Sequence, residues 1–248
     1  MKNSETFTDK IFLHSGNFFF RFRNYLFPVV YVLLLAFTKP RVFSAQPRLN
    51  FWATVFGALI ALSGQAFRLL VIGYAYIKRG GLEGKVYADH LVVRGFYAHS
   101  RNPMYIGNIL IVIGWCAMWG SWPAYLLVIP FFLFAYLSIT VAEETYLKKK
   151  FGVQYEDYEK RVNRFWPNFK GIRQSLEGFS YDWRRAIRKD YGNIFTTVAG
   201  ILVIGAWKNY FFIGKEAIKL AGFGFAGLIL FYILVRFLKK SGQLASSN

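Results

Sequence analysis

Long stretches without charged side chains alternate along the chain with short basic segments. The longest, Asn102–Ala142, has 41 residues and is interrupted near its middle by Gly120-Ser121-Trp122-Pro123. A helix needs about 20 apolar residues to cross a bilayer, so this stretch predicts two spans joined by a tight turn. Leu49–Phe67 predicts another span, and its apolar character resumes after Arg68 and continues to Ile77.

Three shorter apolar stretches raise the predicted number of spans to six. Asn24–Thr38 has 15 uncharged residues, and the aromatic stretch Phe18–Phe22 can extend it. Tyr191–Trp207 and Leu220–Val235 have 17 and 16 uncharged residues. Short apolar runs can also lie in the membrane interface, which is the alternative for the first and last of the six. We predict an all-α, polytopic helical membrane protein with about six transmembrane helices.

The charge balance would suggest a nucleic-acid partner if the positive charge were not so unevenly placed. The chain has 248 residues, a net charge of +18 and 55% hydrophobic residues, a composition that excludes disorder. In the six-span arrangement 24 of the 31 basic residues fall on one side of the membrane and six on the other. Such asymmetry is typical of cytoplasmic loops, so we expect cytoplasmic N- and C-termini and no nucleic-acid partner.

The sequence offers little for metal or disulfide chemistry. Cys116 is the single cysteine and lies within a predicted span, which excludes an internal disulfide. His14, His90 and His99 lack zinc-like spacing, so we expect no metal site. No cleavable signal peptide is apparent at the N-terminus.

Two polar segments flank the central hairpin, one before the third span and one after the fourth. Because the turn between these spans is short, both segments emerge on the same side. We therefore expect these residues to lie close together: Arg101, Asn102, Tyr105, Glu143 and Glu144. Pro103 can begin a helix whose N-terminus suits an anionic group. Arginine, tyrosine hydroxyls and carboxylates would together suit a ligand that carries both a carboxylate and a cation. The alternative is that the glutamates are solvated in the headgroup zone and pair with Lys148, Lys149 or Arg101.

The motifs in these segments resemble those of a known superfamily. They are Gly95-Phe96-Tyr97, Arg101-Asn102-Pro103-Met104-Tyr105-Ile106-Gly107, Glu143-Glu144-x-x-Leu147, Phe151-Gly152-x-x-Tyr155-x-x-Tyr158, Val162-x-Arg164 and Pro167. In order and spacing they are similar to the isoprenylcysteine carboxyl methyltransferase and phospholipid methyltransferase superfamily. Its members are integral-membrane enzymes that use S-adenosylmethionine.

The resemblance implies a cytoplasm-facing cofactor site and a role for individual residues. The positions that line the S-adenosylmethionine pocket in the superfamily correspond here to Leu91, Val92, Tyr97, Asn102, Pro103, Met104, Tyr105 and Glu143. Arg101 is the motif arginine and Glu144 is the second motif carboxylate, so Arg101, Glu143 and Glu144 are the candidate catalytic residues.

Two departures from the superfamily pattern affect the chemistry. Asn102 stands where many members have histidine, and asparagine cannot transfer a proton near neutral pH. Ile139 stands where the prenylcysteine enzymes have an arginine suited to the substrate carboxylate. An unpaired buried carboxylate would be costly, so an amine, thiol or lipid headgroup becomes the favoured acceptor.

The segments that follow the motifs have physical interpretations of their own. Phe151, Tyr155, Tyr158 and Val162 share one face of a predicted amphipathic helix at the membrane surface. The last two spans are rich in glycine, which suits close helix packing or oligomer contacts. We divide the chain into residues 1–84 with two helices, 85–168 with the methyltransferase core, and 169–248 with a basic loop and a hairpin.

The resemblance implies methyl transfer from S-adenosylmethionine to a lipid-associated or small hydrophobic acceptor. Membrane lipids and a hydrophobic or lipid-linked acceptor are the expected partners. Two other functions remain open: an NADPH-dependent membrane reductase of the sterol-reductase type, and a non-catalytic membrane scaffold. The compact size favours a bacterial cytoplasmic membrane, with the endoplasmic reticulum as the alternative.

Overall fold

The computed structural model describes residues 7–42, 46–74 and 88–244 of the chain. The predicted continuation of the second span to Ile77 and the predicted boundary between residues 84 and 85 lie outside these residues. Among the described residues the regular structure is entirely helical. The helices are α1 Phe7–Phe37, α2 Pro47–Tyr74, α3 Pro103–Trp119, α4 Ile129–Phe151, α5 Val153–Arg161, α6 Ile172–Leu176, α7 Trp183–Ile213 and α8 Lys215–Lys240, with a 3₁₀ turn at Gly95–Ala98 and a π-helical turn at Ala124–Val128.

Five of these helices, counting α4 with its π-helical turn, are long and apolar enough to cross a bilayer, namely α1, α2, α4, α7 and α8. The remaining predicted span is α3, an apolar helix of 17 residues. At 1.5 Å per residue, α3 is about 25 Å long, close to the lower limit for a span. The prediction of an all-α, polytopic membrane protein is confirmed.

Glycines allow α2 and α3 to pack with their backbones in close approach. A Cβ atom on Gly114 of α3 would lie 2.4 Å from the backbone nitrogen of Ala61, and one on Gly64 of α2 would lie 2.5 Å from the carbonyl oxygen of Gly107. Only a residue without a side chain fits at such contacts. In the same way Gly16 brings α1 against the backbone of Ser138 in α4.

The long helices alternate in direction, so that α1, α3 and α7 begin where α2, α4 and α8 end. At one end of the bundle Asp182, which caps α7, donates its backbone N–H to Gly73 near the end of α2 over 3.0 Å. At the other end the buried Lys208 ammonium of α7 donates to the carbonyl oxygen of Met118 in the last turn of α3 over 2.8 Å. The segment before α3 and the short helix α5 therefore lie at the end of the bundle where α3 begins.

The largest apolar core lies between α1, α3 and α4. Trp119 of α3 is fully buried, and Phe132 and Tyr136 of α4 are buried in the same cluster. Phe27 of α1 makes edge contacts with both of these α4 rings. This core packs the central hairpin of α3 and α4 against α1.

The two surface features predicted from the sequence have different outcomes. Tyr155 and Tyr158 of α5 are buried against Leu147, with Phe151 and Val162 packed around them. The four residues do form one apolar cluster, but the prediction of one helix is wrong, because Phe151 ends α4 and Val162 follows α5 in extended backbone. Among the C-terminal glycines, Gly200 lies against Trp115 and Gly224 against Leu202. A Cβ atom on the other three would meet nothing within 4 Å: Gly205, Gly222 and Gly227. An oligomer contact through α8 stays a prediction.

Candidate active site

The residues before α3 are fixed against the segment that follows α5. Arg101 donates its backbone N–H to Asn163 over 2.9 Å, and Asn168 donates to the carbonyl oxygen of His99 over 3.1 Å. The Asn102 side-chain amide donates to the carbonyl oxygen of Arg164 over 3.2 Å. The helix α3 begins at Pro103, because proline lacks an N–H and is tolerated in the first turn, where no intrahelical bond is lost. The three bonds above hold this first turn in place.

Glu143 and Tyr105 meet across the hairpin of α3 and α4. The Tyr105 hydroxyl donates to Glu143 Oε1 over 2.7 Å, and the Glu143 residue is only 7% exposed. Arg23 of α1 donates to the same hydroxyl over 3.5 Å. A carboxylate, a hydroxyl and a guanidinium from three helices therefore converge at one point.

Glu144 faces the other way and belongs to an ion-pair network. Its carboxylate accepts from Arg164 Nη2 over 2.8 Å and lies 3.2 Å from Arg101 Nη1. Arg101 also pairs with Glu159 of α5 over 2.7 Å, and Lys148 pairs with the same carboxylate over 2.6 Å. The network joins α4 and α5 to the segments on either side of the site.

The electrostatics of this network favour the charged forms. Burial opposes ionisation of Glu159, but hydrogen bonds from Lys148 and Arg101 outweigh it and lower the pKa of the carboxyl group. Burial likewise lowers the pKa of the Arg101 guanidinium, while the charge of Glu144 and the hydrogen bond to Glu159 raise it above its usual value. Arg101 is therefore committed to neighbouring carboxylates as a permanent cation.

A cavity of about 780 Å³, the central cavity, lies between α1, α2, α3, α4 and α7. Its polar end is formed by Asn102, which directly precedes α3, and by Tyr105 and Asn108 of α3, at intervals of three residues. Deeper in the bundle the same face of α3 continues with Val112 and Trp115. The other walls repeat this order from polar to apolar: Glu143, Tyr136 and Phe132 on α4, Arg23, Phe27 and Leu34 on α1, and Asp190, Thr197 and Ile204 on α7. The cavity is thus amphiphilic, with its polar end where α3 begins.

The sequence-predicted residues are distributed over three places. Five of them line the central cavity: Tyr97, Asn102, Met104, Tyr105 and Glu143. Leu91 and Val92 line a second cavity of about 790 Å³ between the segment before α3 and the start of α7. Arg101, Pro103 and Glu144 are buried but are not among the residues that line the central cavity. The expected proximity of the motif arginine and tyrosine to the glutamates is confirmed, and the assigned roles stay predictions.

Sequence reasoning missed a second polar cluster in the wall of the cavity. Arg68 of α2 forms a buried ion pair with Asp190 of α7, and Asp190 also accepts from Gln65 over 2.7 Å and Asn193 over 3.0 Å. Arg68 Nη1 donates to the Asn108 side chain. A lone arginine inside an apolar run was a signal of such a site, because ionisable groups in spans require partners.

The bundle and its cavity define a class, a helical membrane protein with an amphiphilic cavity between its apolar helices. The model of the phospholipid methyltransferase family matches residues 52–154, from α2 to the start of α5. Through these residues the chain belongs to the phospholipid methyltransferase family, which identifies it in general terms as a membrane methyltransferase.

A relative shares part of the chain. An uncharacterised protein of Haemophilus influenzae is 39% identical over 62 residues, which are 25% of this chain and 98% of the relative. No solved structure gives a significant match to the chain. The helices α7 and α8 lie outside the part that the family model matches.

Proposed function

We propose that the chain transfers a methyl group from S-adenosylmethionine to a hydrophobic or lipid-linked acceptor within the central cavity. The observation that carries this proposal is the position of Glu143. Its buried carboxylate lies at the polar end of an otherwise largely apolar cavity and is oriented by the Tyr105 hydroxyl at 2.7 Å.

The residues at the polar end fit the groups of the cofactor. A carboxylate such as Glu143 suits an ammonium group or ribose hydroxyls, and Asn102 offers an amide beside it. A cofactor carboxylate requires a cation, and the Arg23 guanidinium lines the cavity. Arg101 is instead paired with Glu144 and Glu159, so its part would be to hold the start of α3.

When bound, S-adenosylmethionine would supply a methyl group on a sulfonium; the acceptor's electron pair would form a bond to the methyl carbon as the carbon–sulfur bonding pair leaves with sulfur. The protein's task is then alignment in a dry site. The rings of Tyr105 and Tyr136 lie 5.3 Å apart at the cavity wall, and such rings attract a sulfonium through their faces. Their hydroxyl-bearing rings and the surrounding apolar side chains also exclude water.

The acceptor would reach this site from the bilayer. Helices α1 and α7 both line the cavity but do not pack along each other, and Asn24 and Pro28 of α1 are exposed although they belong to its wall. An apolar chain could therefore lie in the deeper half with its reactive group at Glu143. The uneven distribution of basic residues supports a site that faces the cytoplasm, with both termini on that side. The bacterial relative supports a bacterial cytoplasmic membrane.

Ligand binding by the detergent-solubilised protein tests the proposal. S-adenosylmethionine should raise the melting temperature of the wild type, whereas NADPH should not. Glu143→Gln should bind the cofactor at least about tenfold more weakly, since it loses a charge-assisted contact. Glu156→Gln is the matched control, because Glu156 is an exposed carboxylate on α5.

Each alternative function predicts a different result. Stabilisation by NADPH alone would indicate a membrane reductase, and stabilisation by neither nucleotide would indicate a scaffold. Unchanged cofactor affinity of the Glu143→Gln protein would refute the assignment of this carboxylate.

A further inference from the structure

The ion pair between Arg68 and Asp190 is the most heavily bonded polar group in the described part of the membrane bundle. The Arg68 side chain is 7% exposed and the Asp190 side chain 1% exposed. The Asp190 carboxylate accepts two bonds from Arg68 and one each from Gln65 and Asn193. Two carboxylate oxygens have about four acceptor sites, so Asp190 is saturated and has no capacity left for a ligand.

Arg68 differs from its partner because its donors are not all used. A guanidinium has five N–H groups. Asp190 takes two of them and Asn108 takes one, so two remain without a partner among residues 7–42, 46–74 and 88–244. Arg68 also lines the cavity. Asp190 and Asn108 hold the Arg68 guanidinium in position, while its remaining N–H donors stay available to a ligand.

The depth of Arg68 indicates which part of a ligand it would meet. Its partner Asn108 lies one helical turn deeper in α3 than Tyr105, which binds Glu143, and one turn above Val112. Arg68 is thus at the boundary between the polar and apolar halves of the cavity. An amphiphile has its head-to-tail junction at such a boundary.

We propose that Arg68 recognises an oxyanion, phosphate or carboxylate, placed between the methyl-accepting group and the apolar chain of the acceptor, and that Asp190 and Asn108 are positioning residues. This inference rests on the proposed function for the reaction, but the recognition itself does not require the cofactor. An oxyanion at this depth would leave the acceptor's outer end one helical turn away, at Tyr105 and Glu143.

A series of amphiphiles with one common chain tests the proposal. Dodecylphosphoethanolamine, dodecylphosphate, dodecanoate and dodecylamine share a twelve-carbon chain and differ only in the head. Binding to the solubilised protein is measured for each by native mass spectrometry. We expect at least one oxyanion probe to bind about tenfold or more tightly than dodecylamine, as a hydrogen-bonded charge contact requires. The phosphate and carboxylate probes distinguish the two oxyanions, and competition by inorganic phosphate shows whether the chain is needed.

The variants must separate recognition from folding. Removing one partner of a buried ion pair leaves a buried charge, so Arg68→Gln alone is expected to destabilise the bundle. The double variant Arg68→Gln with Asp190→Asn keeps neutral hydrogen-bonding groups and should fold. It should lose the preference for oxyanion probes. Its affinity for S-adenosylmethionine should stay within about twofold of the wild type, because losing a charged hydrogen bond to the cofactor would weaken binding about tenfold. Arg48→Gln, exposed at the opposite end of α2, is the control for loss of one positive charge.

The outcomes distinguish this inference from the proposed function. If the double variant retains the wild-type preference among the probes, or if the wild type shows none, Arg68 only joins α2 to α7 and the inference is wrong. If the wild type prefers oxyanions through Arg68 but does not bind S-adenosylmethionine, the proposed function fails and the recognition site stands.

Discussion

Adjacent glutamates with different surroundings allow a sharp comparison of two nearly identical variants. Glu143 contacts the Tyr105 hydroxyl and lines the cavity, whereas Glu144 is paired with Arg101 and Arg164. Glutamine keeps the size of each side chain and removes its charge. We expect Glu144→Gln to reduce stability and Glu143→Gln to reduce cofactor binding.

The magnitudes follow from burial. The side chains of Glu144 and Arg101 are 5% and 9% exposed, so their contact is shielded from water and its loss should cost about 1.5–3 kcal/mol. The Arg164 side chain is 37% exposed, and its contribution should stay below about 1 kcal/mol because of solvent screening. Glutamine at position 143 can still accept from Tyr105, so its cost should also stay below about 1 kcal/mol.

Melting temperatures in one detergent measure this difference. A loss of about 2–3 kcal/mol corresponds to roughly 5–10 °C for a chain of this length, so Glu144→Gln should melt well below the wild type. Glu143→Gln and Arg164→Gln should both melt within about 3 °C of the wild type. A Glu144→Gln protein as stable as the wild type, or a Glu143→Gln protein that melts lower than Glu144→Gln, would refute the assignment of one carboxylate to the scaffold and the other to the cavity.

Two further predictions concern packing and acid stability. Gly114→Ala should cost about 1–3 kcal/mol, because its Cβ atom would lie 2.4 Å from the backbone of Ala61, whereas Gly222→Ala meets nothing within 4 Å and should leave the melting temperature unchanged or slightly higher. The folded state lowers the pKa of Glu159, so the stability from its ionised form is present above its ordinary value of about 4.3 and is lost as the pH falls through the folded-state pKa. Melting curves from pH 6 to pH 3 should therefore fall more steeply for the wild type than for Glu159→Gln, and parallel curves would contradict this assignment.

Much of the architecture was predictable because it depends on local composition. Uncharged runs of sufficient length form helices in a bilayer, where every backbone polar group must be satisfied within the segment. The tight turn after Gly120 forces α3 and α4 to be antiparallel neighbours, so the meeting of Tyr105 and Glu143 followed from sequence order alone. The spacing of Tyr155 and Tyr158 likewise predicted the face of α5 that packs against Leu147.

The extent of α7 was less predictable, because charged residues mark the end of a span only when they lack partners. The uncharged run there is Tyr191–Trp207, but the helix has 31 residues and continues past a charge at each end. Asp190 is neutralised by Arg68, and Lys208 donates to the last turn of α3. Both partners come from distant helices, so only the packed bundle shows that these charges can be buried.

The sequence by itself determined the class of the protein, the number and approximate position of its helices and the motifs that join the ends of α3 and α4. These depend on hydrophobicity and short spacing along the chain. The tertiary structure decided which glutamate lines the cavity, because successive residues on a helix point about 100° apart and only the neighbours show which direction is open. It also decided that Arg68 meets Asp190, since a contact between residues 122 positions apart depends on how α2 packs on α7.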